Sequence, residues 1–226
     1  MRDDRFILAS RSGKTIESRP VAISGLCGLS ACVNLPHFPF RVTTVVMSTL
    51  PDILNTTTVA TSRLFSIEQV DLRFSNGTET CFERLVGQGA GAVMVVPMQN
   101  EQELLLIREY AVGVERYELS FVKGRIDPGE TAQQAAHREL REETGFDAGS
   151  MEALAAVSLT PAYSNYRTHI FLAQGLFSSP LPGDEPEPLQ TKSWPLSDLP
   201  ELRDREDFSD ARSILATYLA TERINS

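Results

Sequence analysis

Three glutamates, Glu139, Glu142 and Glu143, lie close together in a chain whose formal net charge is already −9. The surrounding residues 131–143 are rich in Ala, Gln, Glu, Arg and Leu, which favour an α-helix. Because successive helical residues turn by about 100°, Glu139 and Glu143 share one face and Glu142 flanks the same ridge. Like charges at this spacing repel each other. The helix must therefore present these carboxylates either to solvent or to a cation.

The apolar residues of this helix favour a cation. Ala132, Ala136 and Leu140 form an apolar line beside the glutamates, and we expect that line to pack on a sheet. Glu143 then borders a buried surface, where a carboxylate next to two others is costly unless a cation neutralises it. Carboxylate oxygens suit Mg²⁺ or Mn²⁺, which also bind phosphate oxygens. A solvated helix face is the alternative if the segment RELREE is considered alone.

The spacing of residues 124–146 resembles a known signature. The segment reads Gly124, five residues, Glu130, seven residues, Arg138-Glu139-Leu140, one residue, Glu142-Glu143, one residue, Gly145-Phe146. This is similar to the Nudix box, found in hydrolases that act on nucleoside diphosphates linked to another moiety. All seven specified identities are present, and only Phe146 stands where an aliphatic residue is more usual.

The resemblance extends over roughly residues 48–222. The stretches IREYAVG…YEL, KGRIDPGE and GDEPEPL are similar to the bacterial ADP compounds hydrolases of the NudE group, which are close to the ADP-ribose pyrophosphatases. The resemblance implies an α/β fold, the Nudix α/β/α sandwich with a mixed sheet, preceded by an N-terminal β-hairpin lobe. It also implies a homodimer in which the N-terminal strands, about 57–86, pack on or swap with the partner.

The resemblance assigns a metal site to the helix. Glu139 and Glu143 match the principal metal ligands of the box, and Glu142 matches a further ligand in members that bind several ions. The backbone carbonyl of Lys123 matches another ligand. The implied cofactor is Mg²⁺, with Mn²⁺ as an alternative.

Four further positions follow from the same comparison of motifs. Arg138 and Glu130 match a pair that orients the catalytic carboxylates. Arg108 and Glu118 match positions on the substrate side in the ADP-ribose enzymes.

The general base is left open by the sequence. Many ADP-ribose pyrophosphatases carry an acidic residue after a Ser-Pro-Gly turn beyond the box, whereas the corresponding loop here, residues 159–171, contains no carboxylate. The base is then a box glutamate, a metal-bound hydroxide, or a residue such as Glu185 or Glu187. For the last two, a solvated Pro-rich loop is the competing interpretation.

The expected function is metal-dependent hydrolysis of the pyrophosphate linkage in ADP-containing compounds, with AMP released. ADP-ribose, NADH and diadenosine polyphosphates are substrates of the expected class. Two alternatives stay open: a nucleoside triphosphate pyrophosphatase that uses the same box, and a non-catalytic module that senses ADP-ribose. The second alternative is disfavoured because such modules usually lose a box glutamate, and this chain keeps all four.

Composition limits the other possibilities. The acidic balance argues against a protein that coats nucleic acid, which needs a basic patch. No apolar stretch is long enough to span a membrane, so no membrane partner is expected. The three cysteines lack the spacing of a zinc site. We expect a cytoplasmic protein with a small-molecule nucleotide substrate.

Residues 1–47 differ from the remainder of the chain because they show no sustained hydrophobic period. Residues 21–33 are small and apolar, but the acidic residues before them disfavour a signal peptide. We interpret residues 1–47 as an unstructured extension, with Met47 as the native start, and residues 48–226 as the Nudix hydrolase domain.

The remaining patterns predict the order of elements. Residues 64–74 alternate with a change of phase that predicts a bulge near Gln69, and Asn76-Gly77 predicts a hairpin turn. Further predicted strands are 78–86, 91–98, 103–110, 116–121, 153–159 and 168–174. A Pro-rich loop is predicted at 178–190. A helix is predicted at 209–223, with Ile214, Leu215, Tyr218 and Leu219 as its apolar stripe.

Overall fold

A mixed four-stranded sheet forms the centre of the fold. In this computed structural model, which describes residues 49–226 apart from Gln88 and Asp184, the strand order is β7-β4-β9-β8. The strands are β4 (Ala92–Pro97), β7 (Val122–Arg125), β8 (Phe146–Ser158) and β9 (Arg167–Ser178). Strands β4 and β9 are parallel, and the other pairs are antiparallel. Every residue of β4 is buried, as its continuous apolar sequence predicts.

A second sheet stands beside the first, with the order β10-β5-β6. It consists of β5 (Glu103–Ala111), β6 (Arg116–Ser120) and β10 (Gln190–Pro195), all antiparallel. Strand β10 was not predicted, because QTKSWP is polar, largely exposed and does not alternate. The backbone of β5 supplies the partner that makes this segment a strand.

Helices cover both faces of the central sheet, so the expected α/β/α sandwich with a mixed sheet is confirmed. Helix α1 (Ala132–Thr144) packs Ala136 and Leu140 against Val93 and Val95 of β4. The predicted apolar line of this helix is thus confirmed.

The opposite face carries the C-terminal helices. Helix α3 (Ala211–Ile224) packs Ala216 and Ala220 against Met94 and Val96, and the short α2 (Leu199–Arg203) precedes it. The predicted stripe of α3 is wrong for Leu215 and Tyr218, which are exposed. Small residues allow the helix to approach the sheet closely, and the buried ones are Ser213, Ala216, Thr217 and Ala220.

The N-terminal lobe is built of strands, as expected, but it has three of them instead of one hairpin. Its order is β1 (Asp52–Thr61), β2 (Ser66–Arg73) and β3 (Glu79–Val86). The Asn76-Gly77 turn is present, with Gly77 at φ 81°. The predicted bulge near Gln69 is wrong: β2 pairs with β3 in unbroken register, and the register shifts lie between β1 and β2. Most side chains of β2 are only partly buried, on both faces of the strand. The apolar residues can therefore move from one face to the other along the strand without an inserted residue.

Two features of the described residues bear on the predicted organisation. Residues 49–226 belong to one compact unit, whereas the predicted extension 1–47 lies outside the described part of the chain. None of the helices in the described part has the length and apolar character needed to cross a membrane.

Local signals determine both ends of α1. The Thr131 hydroxyl accepts a hydrogen bond from the backbone N–H of Gln134, and the side-chain oxygen of Gln134 accepts one from the backbone N–H of Thr131, which forms a capping box. Gly145 ends the helix in the left-handed conformation at φ 78°, and its N–H donates to the carbonyl of Arg141. The helix therefore begins and ends where the box requires.

Replacement of Gly145 by alanine tests this C-terminal cap. A Cβ at φ 78° is strained, so we expect Gly145→Ala to lower the free energy of unfolding by about 1 kcal/mol or more. Gly113→Ala is the matched control, because Gly113 has no such φ and an added Cβ would meet nothing within 4 Å. Urea unfolding measures both variants, and equal stability of the two would contradict the role of the cap.

Candidate active site

The guanidinium of Arg138 is the centre of the acidic ridge. Its Nε and Nη2 donate to the two oxygens of Glu130 over 2.9 and 3.0 Å, which is a bidentate pair. Its Nη1 donates to Glu139 over 2.8 Å and to Glu142 over 2.9 Å, and Nη2 also reaches the carbonyl of Arg125. The hydrogen bonds from Arg138 hold the pKa of Glu130 below its ordinary value. One side chain thus ties the loop before α1 to the ridge.

Glu139 lies directly against strand β7, and this contact explains the glycine at 124. A Cβ added to Gly124 would lie 1.9 Å from the carboxyl carbon of Glu139, closer than any real contact. Glu139 is itself buried at 9% exposure. Only glycine allows the helix carboxylate to come this close to the strand backbone.

Glu143 occupies the inner end of the ridge. Its Oε2 accepts a hydrogen bond of 3.2 Å from the backbone N–H of Lys123. Burial raises the pKa of the Glu143 carboxyl well above its ordinary value; the charge of Lys123 lowers it and that of Glu139 raises it further. A group in this state gains most from a cation placed beside it.

The side chain of Lys123 forms a second cationic contact near the ridge. Its Nζ donates to Glu109 of β5, and Ser120 of β6 lies at 3.3 Å. The sequence predicts a role only for the backbone carbonyl of Lys123, as a metal ligand. The side-chain contact could not be predicted, because Glu109 lies on a different strand. This pair joins the two sheets beside Glu143.

The donor set fits a hard divalent cation. Three glutamate carboxylates lie along α1 where it packs against β7, near the backbone of Lys123, and all the side-chain donors are oxygen. Within the described residues, no three His, Cys, Asp or Glu side chains are yet close enough together to hold a metal ion. Arg138 Nη1 occupies the space between Glu139 and Glu142, while the Glu130 pair involves its other nitrogens.

A cleft of about 550 Å³ opens over the ridge. Glu139, Glu142 and Glu143 line one side, and the Pro-rich loop, including Glu185 and Glu187, lines the other. The loop is attached to the end of α1, because Leu181 N–H donates to the carbonyl of Arg141 and Arg141 Nε donates to the carbonyl of Ser179. The structure thus brings the loop carboxylates to the same cleft as the box glutamates.

Arg108 lies exposed on β5, next to the far wall of this cleft. Its guanidinium carbon is 4.8 Å from the centre of the Tyr117 ring, and the Tyr117 hydroxyl donates to Glu187 over 2.6 Å. Sequence reasoning did not foresee this contact of Glu187. The substrate role of Arg108 stays a prediction, with a position that permits it.

Glu118 does not line this cleft. It is 7% exposed, and its carboxylate accepts hydrogen bonds from Arg116 and from both the backbone and the hydroxyl of Ser209. Burial alone would raise the pKa of Glu118, but these hydrogen bonds hold it below its ordinary value. In this structure Glu118 fastens the segment before α3 to β6, and its expected contact with substrate stays a prediction.

Comparison with known proteins agrees with this geometry. Residues 89–217 match the family model of the NUDIX domain, and residues 51–84 match that of the NudE-type Nudix hydrolase N-terminal domain. The two matches correspond to the sandwich with its acidic ridge and to the strand lobe.

Individual relatives match over most of the chain. ADP compounds hydrolase NudE of Escherichia coli is 49% identical over 172 residues, which are 76% of this chain and 92% of that protein. ADP-ribose pyrophosphatase of Bacillus subtilis is 26% identical over 70% of this chain and 89% of its own. A crystal structure of an ADP compounds hydrolase superposes with a TM-score of 0.73 at 47% identity, covering 78% of this chain and 95% of that one.

The raised pKa of Glu143 predicts how stability depends on pH without metal. Folding holds the proton on Glu143 more tightly than the unfolded chain does, so ionisation costs stability as pH rises from about 4.3, the ordinary glutamate value, to the raised folded value. Glu143→Gln removes this cost. In EDTA we expect the variant to melt above the wild type at pH 8, and the gap to close as pH falls to 4.

Exposed Glu101 provides the matched control, because Glu101→Gln changes the same group away from the ridge. The melting temperature of this variant should change with pH in the same way as that of the wild type between pH 4 and pH 8. A difference in melting temperature between Glu143→Gln and the wild type that does not change with pH would contradict the partly buried, charge-strained state of Glu143.

Proposed function

This chain belongs to the NUDIX family, and we propose that it hydrolyses the pyrophosphate linkage of ADP-containing compounds with release of AMP. One observation of the structure supports this most directly: the acidic ridge, oriented by Arg138 and Glu130, lines a cleft large enough for a nucleotide. The relatives named ADP compounds hydrolase and ADP-ribose pyrophosphatase give the substrate class. ADP-ribose, NADH and diadenosine polyphosphates belong to it.

The cofactor in this proposal is Mg²⁺, with Mn²⁺ as a substitute. Glu139, Glu142 and Glu143 hold it together with the carbonyl of Lys123. When bound, such an ion neutralises phosphate charge, polarises phosphorus and lowers the pKa of bound water. The donor set is all oxygen, which suits either ion.

The residues of the chain provide orientation. Arg138 and Glu130 keep the ridge in place, and Gly124 lets Glu139 approach the strand. For ADP-ribose, the oxygen of water forms a new bond to one phosphorus, the bridging P–O bond breaks, and AMP and ribose 5-phosphate leave. Positioning and charge are the main contributions of protein to such a reaction.

A carboxylate at the cleft takes the proton of the attacking water. The structure supports two groups of candidates, the box glutamates on one wall and Glu185 and Glu187 on the other. The contact with Tyr117 holds Glu187 in a defined position, which a freely solvated loop residue would lack.

Assembly as a homodimer is part of the same proposal. All ten residues of β1 are exposed, and the lobe leaves Ile53, Val59, Phe65 and Phe82 between 49 and 64% exposed. A small sheet with apolar side chains in water gains stability by packing on another surface. We expect sedimentation equilibrium of the full chain to give the mass of two copies, and a monomer at micromolar concentration would contradict this assembly.

A substrate panel tests the function. With Mg²⁺ we expect AMP from ADP-ribose, NADH and diadenosine polyphosphates. Loss of a metal ligand removes charge neutralisation at phosphorus, so Glu143→Gln should lower kcat about a thousandfold or more. Chromatographic assay of AMP measures both proteins, and Glu101→Gln is the control on the surface.

The outcomes separate the alternatives. Release of pyrophosphate from nucleoside triphosphates that is faster than release of AMP from the ADP compounds would indicate a nucleoside triphosphate pyrophosphatase. Binding of ADP-ribose without turnover would indicate the sensing module. Equal rates for wild type and Glu143→Gln would show that the assigned ligand role is wrong.

A further inference from the structure

An aromatic surface borders the cleft on the second sheet. We call it the tyrosine shelf, made of Arg108 and Tyr110 on β5 and Tyr117 on β6. The two tyrosines are directly paired across the strands, and their rings meet edge to face with centroids 5.5 Å apart. Arg108 lies over the Tyr117 ring at 4.8 Å. The three groups thus contact one another, the two rings edge to face and the guanidinium over the Tyr117 ring.

The shelf is joined to the acidic ridge through the Pro-rich loop. Tyr117 donates its hydroxyl hydrogen to Glu187 over 2.6 Å, and Glu187 lines the same cleft as Glu139 and Glu143. Glu187 thus belongs both to the lining of the cleft and to the edge of the shelf.

The shelf presents rings to solvent. Tyr110 is 48% and Tyr117 is 39% exposed, and Arg108 is also exposed. Phe121, the next aromatic residue after Tyr117, is fully buried in the core and offers no such surface.

We propose that the tyrosine shelf binds the purine base of the substrate. Bases stack on aromatic rings and on guanidinium planes, so each of the three flat groups suits a purine. The carboxylate of Glu187 at the edge of the shelf repels a phosphate and accepts hydrogen bonds from a base, which favours the base at this end. With the base here, the box glutamates and Glu185 remain as the candidates for the general base. This assignment rests on the proposed function and names which part of the substrate lies where.

The two reaction products test it, because AMP carries the base and ribose 5-phosphate does not. Calorimetry with the full chain and Mg²⁺ gives the Kd of each. We expect Tyr110→Ala and Tyr117→Ala to weaken AMP binding about tenfold or more and to leave ribose 5-phosphate unchanged. Binding requires no turnover, so failure of the shelf and failure of the hydrolytic function are distinguishable.

Tyr218 provides the matched control. It lies on α3, is 56% exposed, and has the guanidinium of Arg203 over its ring at 4.3 Å, so Tyr218→Ala removes the same kind of pair elsewhere. Both Kd values should stay at those of the wild type. Tyr117→Phe keeps the ring and loses the hydroxyl, and its Kd for AMP should stay within about threefold of the wild type.

Four results would overturn the proposal. The first is an unchanged Kd for AMP in both alanine variants. The second is an equal loss of affinity for AMP and for ribose 5-phosphate. The third is a loss of AMP affinity in Tyr117→Phe as large as in Tyr117→Ala, because stacking depends on the ring. The fourth is a change in the sedimentation mass of the alanine variants, which would identify the shelf as a contact between copies of the chain.

Discussion

The bidentate pair between Arg138 and Glu130 is the contact on which the site depends. It fixes the loop that leads into α1, and through Nη1 it reaches Glu139 and Glu142. One guanidinium can neutralise only part of the charge of the ridge. Glu143, with its raised pKa, carries the strain that remains. In the proposed site, a divalent cation at the ridge would remove this strain and would provide the charge that attracts a diphosphate.

The location of the ridge follows from close packing on strand β7. Gly124 lacks the Cβ that would collide with Glu139, and Lys123 offers its N–H to Glu143. Strand and helix are consecutive in the chain, so the same short segment provides both sides of the site. The strand lobe, by contrast, exposes apolar side chains, which agrees with the proposed homodimer.

Local patterns predicted the helix and the arrangement of the acidic ridge because these parts are close in sequence. Helical spacing alone predicts that Glu139 and Glu143 share a face, and the cap at Gly145 ends the helix in the predicted place. Ala136 and Leu140 are buried as their spacing requires. The buried β4 was equally predictable, because a strand covered on both faces needs only apolar residues.

Distant contacts could not be predicted in this way. Residues that lie far apart in the chain form the Glu118–Ser209 and Tyr117–Glu187 contacts, so no local period contains them. Polar β10 is a strand only because β5 pairs with it. In α3, close approach to the sheet selected small residues such as Ala216 over the larger Leu215.

A crystal soaked with Mn²⁺ and a non-hydrolysable ADP-ribose analogue tests the central claim most directly. Anomalous scattering locates manganese without reference to the chemistry assumed for the site. We expect a peak ligated by Glu139 and Glu143, with the diphosphate of the analogue bridging to it. Diphosphate bound elsewhere, with no manganese at these two carboxylates, would contradict the metal-dependent site.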